Sequence, residues 1–122
     1  MGEYWGYHQS LDCANCSDGI KSREVIEAFV KDLVKRIDME AYGPPLIEHF
    51  ATHDHTKAGY SLCQMISTSN ISAHYVDATG ESYIDIFSCK PFSREEVIQC
   101  VKDYFNPEHI IEHFILRKAF KP

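Results

Sequence analysis

A chain of 122 residues has room for a single domain, spanning 1–122, around one hydrophobic core. With 44% hydrophobic and 25% charged residues it has the composition of a globular protein, which excludes a disordered or collagen-like chain. A formal net charge of −6 without a Lys/Arg block argues against nucleic acid as a partner, and no apolar run is long enough to favour a membrane.

The N-terminus, Met1-Gly-Glu-Tyr-Trp5, lacks a basic region followed by an apolar core, and Gly6 stands where a myristoylation motif needs Ser or Thr. Five cysteines without an export signal point to a reducing cytoplasm. Tyr4 to Leu11 is aromatic-rich and alternating, a first strand. Asp12 to Gly19 reads as a polar loop carrying Cys13 and Cys16. From Ile20 the period changes. Val25, Ile26, Phe29, Val30, Leu33, Val34 and Ile37 recur at three- and four-residue spacing, one face of a helix started by Ser22. Gly43-Pro44-Pro45 excludes helix.

Ile47 to Thr52 reads as a short strand, and His53 to Gly59 as a polar loop. Tyr60 to Ile66 and Ile71 to Val76 follow as strands, then a turn at 77–80 and a strand from Ser82 to Cys89. Ser93-Arg-Glu-Glu96 is a capping box opening a second helix, with Val97, Cys100, Val101, Tyr104 and Phe105 on its apolar face. Asn106-Pro107 ends it, and Ile110 to Leu116 is the last strand. The order predicts an α+β fold: a two-layer sandwich, with two helices on one face of a mainly antiparallel sheet. The sheet's other face then needs a cover, which a second copy in a homodimer would supply.

Three groups of residues could carry chemistry. Cys13 and Cys16 with His53 and His55 have the ligand types of a zinc site, but a single C-x-x-C with H-x-H lacks the usual second spacing, so no metal is expected. Cys89 could be a thiol nucleophile, although a cysteine after Tyr83-Ile-Asp-Ile-Phe87 is more often a small core residue. Ser67-Thr68-Ser69-Asn70-Ile71-Ser72, followed by His74, reads as a polar turn between strands.

The residues from Gly59-Tyr-Ser61 through Ser69 and His74 to Asp85-Ile-Phe-Ser-Cys89 resemble the prokaryotic S-adenosylmethionine decarboxylase proenzymes. That family runs G-x-S, an apolar strand, E-S-H-I-x-x-H-T-W-P-E, then a strand ending D-x-F-x-C, and the spacing agrees without gaps from Ser61 to Cys89. Gly6-Tyr-His8, Asp12 and Cys16 resemble the family's opening motif. The resemblance implies self-cleavage between Thr68 and Ser69, with Ser69 becoming a covalent pyruvoyl cofactor. It implies that His74 acts as a base in processing, assisted by Ser61, and that Cys89 is the acid that protonates the product carbon. A cysteine thiol suits that role because thiols are mostly protonated at neutral pH.

The chain departs from the family in three places. Thr68 stands where the family has Glu, Asn70 replaces His, and Tyr75-Val-Asp77-Ala78 replaces T-W-P-E. Ala78 cannot accept hydrogen bonds from ribose hydroxyls, which leaves Asp77 as the nearby carboxylate. His55 falls near the family's adenine-stacking aromatic. The resemblance implies a small-molecule substrate, S-adenosylmethionine, for polyamine synthesis. A cationic amino acid, arginine or ornithine, is the nearest alternative. A non-cleaving regulatory or binding homologue is the third reading.

Overall fold

The computed structural model describes residues 4–120, so the first residues of the stretch read for targeting signals, Met1 to Glu3, lie outside it. Six strands and two helices follow one another: β1 (Gly6–Ala14), α1 (Arg23–Arg36), β2 (Leu46–Phe50), β3 (Gly59–Ile66), β4 (Ser69–Val76), β5 (Glu81–Ser88), α2 (Arg94–Phe105) and β6 (His109–Arg117). A 3-10 turn, Asp18–Lys21, precedes α1.

Both helices start where the sequence signals them. Ser22 Oγ accepts from the Val25 amide at 3.2 Å, and Ser93 Oγ accepts from the Glu96 amide at 3.2 Å. Asn106 ends α2 in the left-handed conformation, with φ 41°, a backbone that asparagine tolerates better than most residues.

The strands form one antiparallel sheet in the order β2-β3-β4-β5-β1-β6. Alternation separates its two faces. Leu11, Cys13, Leu62, Ile71, Tyr75, Ile84 and Ile86 are buried in one core with Ile26, Phe29, Leu33, Val97, Val101 and Phe105 of the helices. The Tyr75 and Phe105 rings lie 5.2 Å apart across that layer. Each such fully buried side chain stabilises the fold by about 1.5–3 kcal/mol. His8, Ser10, Ser61, His74 and Asp85 have the opposite parity and share the other face with the exposed Met65, Tyr83, Ile111 and Ile115.

The first strand corrects the sequence expectation at both ends. It starts at Gly6 rather than Tyr4 and runs past Leu11 to Ala14. Asp12 and Cys13 therefore belong to a strand, because the alternation continues through them: Cys13 is buried and Asp12 is not. Ile20 fills the core from the 3-10 turn and not from α1. No helix among the described residues is long and apolar enough to cross a membrane.

Candidate active site

Ile66 pairs with Ser69, so Ser67 and Thr68 form a two-residue hairpin loop between β3 and β4. Such loops ordinarily adopt primed turns, with a positive φ at the first central residue or at both, because that twist matches the strands. Neither Ser67 nor Thr68 has positive φ. This turn is held from outside instead. The Ser67 amide donates to the Glu40 carbonyl at 2.9 Å, and Ser67 Oγ donates to Glu40 Oε1 at 3.0 Å. On the other side, the Cys89 amide donates to the Thr68 carbonyl at 3.1 Å.

That last contact sits on the peptide where cleavage is expected. Ser69 is the register partner of Ser88 in β5, which brings Cys89 beside the hairpin tip. The Cys89 side chain is exposed in a cleft shared with Tyr4, Trp5 and Pro91. Trp5 packs against Phe87 at 5.6 Å, and the Arg117 guanidinium stands over the Phe87 ring at 5.0 Å.

Ser61 and His74 are directly paired across β3 and β4, with Ser61 Oγ 2.8 Å from His74 Nδ1. His74 Nε2 faces the Lys57 carbonyl at 2.7 Å. A carbonyl only accepts, so Nε2 carries the proton, and Nδ1 of the neutral ring accepts from the Ser61 hydroxyl. The ring is thereby held in one tautomer with its basic nitrogen on a hydroxyl.

Gly59 of the G-x-S motif has a steric role. The Tyr75 carbonyl oxygen would lie 1.7 Å from a Cβ there, so only glycine lets β3 approach β4 beside His74.

The expected residues thus fall into two groups at opposite ends of β4. Thr68, Ser69 and Cys89 are at the hairpin end, and Ser61 and His74 are at the other. His74 lies five positions after Ser69 along the strand, about 17 Å at ~3.4 Å per residue.

Asp77 and His55 join neither group directly. Asp77 Oδ2 is bound by His49 Nε2 at 2.8 Å, and the His49 ring packs edge-on against Tyr60 at 5.1 Å. Tyr60 packs against the helix-side core, so Asp77 is engaged on the face opposite His74. His55 is exposed in the loop between β2 and β3, and Ala78 is exposed in the turn after β4.

Asp85 lies midway along the open face. It accepts from Ser10 Oγ at 2.5 Å and from His8 Nε2 at 3.2 Å, while Arg117 donates to His8 Nδ1 at 3.1 Å. Sequence reasoning quoted His8 and Asp85 as motif residues without giving them a role, and it missed Trp5. The pairing of β1 with β5, which no local pattern specifies, brings His8 and Ser10 to Asp85.

The C-x-x-C thiols face each other beside Ser82. The hydrogen bond from Cys13 lowers Cys16 to about 7, and the Ser82 hydroxyl at 3.3 Å adds to this against the cost of burial. Cys13 is pushed up by the same contact and by burial. Among the described residues no three His, Cys, Asp or Glu side chains are grouped to hold a metal ion.

The sequence profile of the S-adenosylmethionine decarboxylase family matches residues 7–118. The chain is 28% identical to an S-adenosylmethionine decarboxylase proenzyme of Clostridium botulinum strain Langeland over 103 residues, 83% of this chain and 84% of that protein. Similarity to the proenzyme of strain Hall has the same extent, 28% over 103 residues. In three dimensions the chain superposes on the adenosylmethionine decarboxylase of Aquifex aeolicus VF5 with a TM-score of 0.82 at 19% identity, covering 98% of this chain and 96% of the other. The chain belongs to the S-adenosylmethionine decarboxylase family.

Proposed function

We propose that this chain is a single-domain, cytoplasmic, self-processing S-adenosylmethionine decarboxylase that uses a pyruvoyl group made from Ser69 to supply the aminopropyl donor for spermidine synthesis. The observation that carries the reading is the Thr68–Ser69 peptide at the tip of a tight hairpin, with its carbonyl oxygen on the Cys89 amide.

In the first step Ser69 Oγ bonds to the Thr68 carbonyl carbon. The C–N bond breaks, and the hydroxyl proton ends on the Ser69 nitrogen. Negative charge collects on the Thr68 oxygen as this happens, where the Cys89 N–H already points. Loss of the Ser69 α-proton then expels the Thr68 carboxylate from Cβ. Hydrolysis of the resulting dehydroalanine releases ammonia and leaves the ketone. His74 Nδ1 is the base for the α-proton, with the Lys57 carbonyl fixing its tautomer and the Ser61 hydroxyl orienting the ring.

The distance of about 17 Å along β4 keeps one chain's His74 away from its own Ser69. A homodimer resolves this when each copy's Ser69 meets the partner's Ser61 and His74. The apolar Met65, Tyr83, Ile111 and Ile115 on the open face favour such a cover.

Once formed, the pyruvoyl group supplies the electron sink for loss of CO2 from a substrate bearing an amine. Cys89 then presents a thiol as proton donor beside Trp5 and Phe87, whose rings offer stacking surface to a purine. That surface favours the nucleoside substrate. Ala78 favours the second reading, arginine or ornithine, because it offers no acceptor for ribose hydroxyls.

Intact-mass analysis tests the cut. Two fragments meeting at Thr68/Ser69 are expected, the second lacking a free amine and reacting with hydrazines. A single unmodified chain after long incubation overturns the proposal. Co-expression of Ser69→Ala with His74→Ala tests the shared site: the His74→Ala chain is cleaved by its partner if the site is composite, and stays whole if it is not. Release of CO2 from S-adenosylmethionine, arginine and ornithine in parallel assigns the substrate.

A further inference from the structure

Ser88 is fully buried at the end of β5, yet it lies outside every role discussed so far. Its hydroxyl is the middle of a directed chain of hydrogen bonds. The Lys90 amide donates to Ser88 Oγ at 3.0 Å. Ser88 Oγ donates to Thr68 Oγ1 at 2.7 Å. Thr68 Oγ1 donates to Met39 Sδ at 3.3 Å. The Met39 end sets the direction, because a thioether only accepts and takes the Thr68 hydrogen, which leaves Thr68 Oγ1 to accept from Ser88. The nearer acceptor for the Ser88 hydrogen is Thr68, since Met39 Sδ is 3.8 Å away.

Thr68 is thus gripped twice by one corner of the protein. Ser88 holds its side chain, and the next residue, Cys89, holds its carbonyl. The hairpin cannot supply this rigidity, because its turn is not of the primed type that matches strand twist.

We infer that Ser88 is a positioning residue for self-cleavage, acting through the Thr68 hydroxyl to hold the Thr68 carbonyl on the Cys89 amide while Ser69 Oγ attacks. The inference rests on the reading of Thr68–Ser69 as the cleaved bond. It concerns the acyl shift only, in which the Oγ–C bond forms as the C–N bond breaks and the proton passes to nitrogen. Elimination by His74 lies downstream of it.

The test follows nascent chains after cell-free translation and measures the half-time of cutting. Ser88→Ala slows cutting roughly three- to tenfold, the worth of one hydrogen bond. Thr68→Val, which keeps the shape and removes the hydroxyl, slows it equally. The double variant is no slower than either alone, and Ser88→Thr restores the rate. In a His74→Ala background the ester accumulates and hydroxylamine cuts it. There Ser88→Ala slows the appearance of the hydroxylamine-sensitive bond, which a general loss of stability followed by thermal melting would not select.

An uncut wild-type chain overturns both the cleavage reading and this inference. A wild-type chain that cuts, with Ser88→Ala cutting at the same rate, overturns this inference alone. Additive slowing in the double variant also overturns it, because Ser88 would then act by another route.

Discussion

An alanine at Gly59 would place its Cβ 1.7 Å from the Tyr75 carbonyl oxygen and 2.7 Å from the carbonyl carbon, both backbone atoms that no rotamer change can move aside. Real Cβ contacts essentially never fall below 3.0 Å. The two strands must therefore open by about 1.3 Å at this point, an overpacking strain of about 2 kcal/mol. For a domain of this size that lowers Tm by roughly 6–10 °C. The consequence for the site is larger than for the fold. Lys57 and Ser61 flank Gly59 on the displaced segment, and they hold the two ring nitrogens of His74 at 2.7 and 2.8 Å. Opening by that amount breaks both contacts and frees the ring to turn. Misplacing a reacting group by about 1 Å costs on the order of a hundredfold in rate. Gly59→Ala is expected to stall after the acyl shift and to accumulate hydroxylamine-sensitive ester. Calorimetry reads the Tm, and a chase after cell-free translation reads the half-time of cutting. An unchanged Tm together with a wild-type half-time would refute the reasoning from close strand approach.

Tyr75→Phe should stabilise the protein by about 1 kcal/mol, because the buried Tyr75 hydroxyl has no hydrogen-bond partner among the described residues; a lower Tm would count against this. Cys16 should be alkylated by iodoacetamide with a midpoint near pH 7, and Cys13→Ala should raise that midpoint, since the hydrogen bond from the Cys13 thiol is the main cause of the lowering. A wild-type midpoint at the ordinary thiol value of about 8.5 would sink the paired-thiol account. Arg36 pairs with Asp32 of its own helix at 3.0 Å and joins α1 to α2 through Asp103 at 2.8 Å. Asp32 is held below the ordinary carboxylate range by Arg36 and then Tyr104, and Asp103 by Gln99 and then Arg36. Their stabilisation is complete above the unfolded carboxylate value and is lost as pH falls through the lowered folded values. Arg36→Gln should therefore flatten the acid limb of a Tm-against-pH curve, and parallel wild-type and variant curves would show that the pair contributes nothing.

What the sequence revealed follows from how local each signal is. Ser22 and Ser93 announce their helices because a cap is satisfied within three residues. The helix stripes and strand alternation likewise report their own faces, which is enough for the layer order. The end of β1 was hidden because Asp12 and Cys13 sit in a polar, turn-like composition, and only pairing with β5 and β6 shows that the alternation continues. Spacing along the chain groups Ser61, Ser69, His74 and Cys89 without showing that β4 holds Ser69 and His74 at its two ends. Asp77 illustrates the limit most clearly. Its partner His49 is 28 residues away on the edge strand, and that contact turns the carboxylate to the helix side. Ser88 gave no signal at all, being the unspecified position before the cysteine of a motif.

The strand order gives the proposed cut a topological consequence. A break after Thr68 leaves β1, β2, β3 and α1 on one polypeptide and β4, β5, α2 and β6 on the other. In the sheet these do not separate into two blocks, because β1 of the first polypeptide is inserted between β5 and β6 of the second. The cleaved molecule is an interdigitated pair joined along three seams, β3 with β4, β5 with β1, and β1 with β6. Dissociation would require withdrawing a nine-residue strand hydrogen-bonded on both edges and burying Leu11 and Cys13. Severing the backbone at the hairpin therefore creates a new chain end for chemistry while the two pieces remain mutually templated.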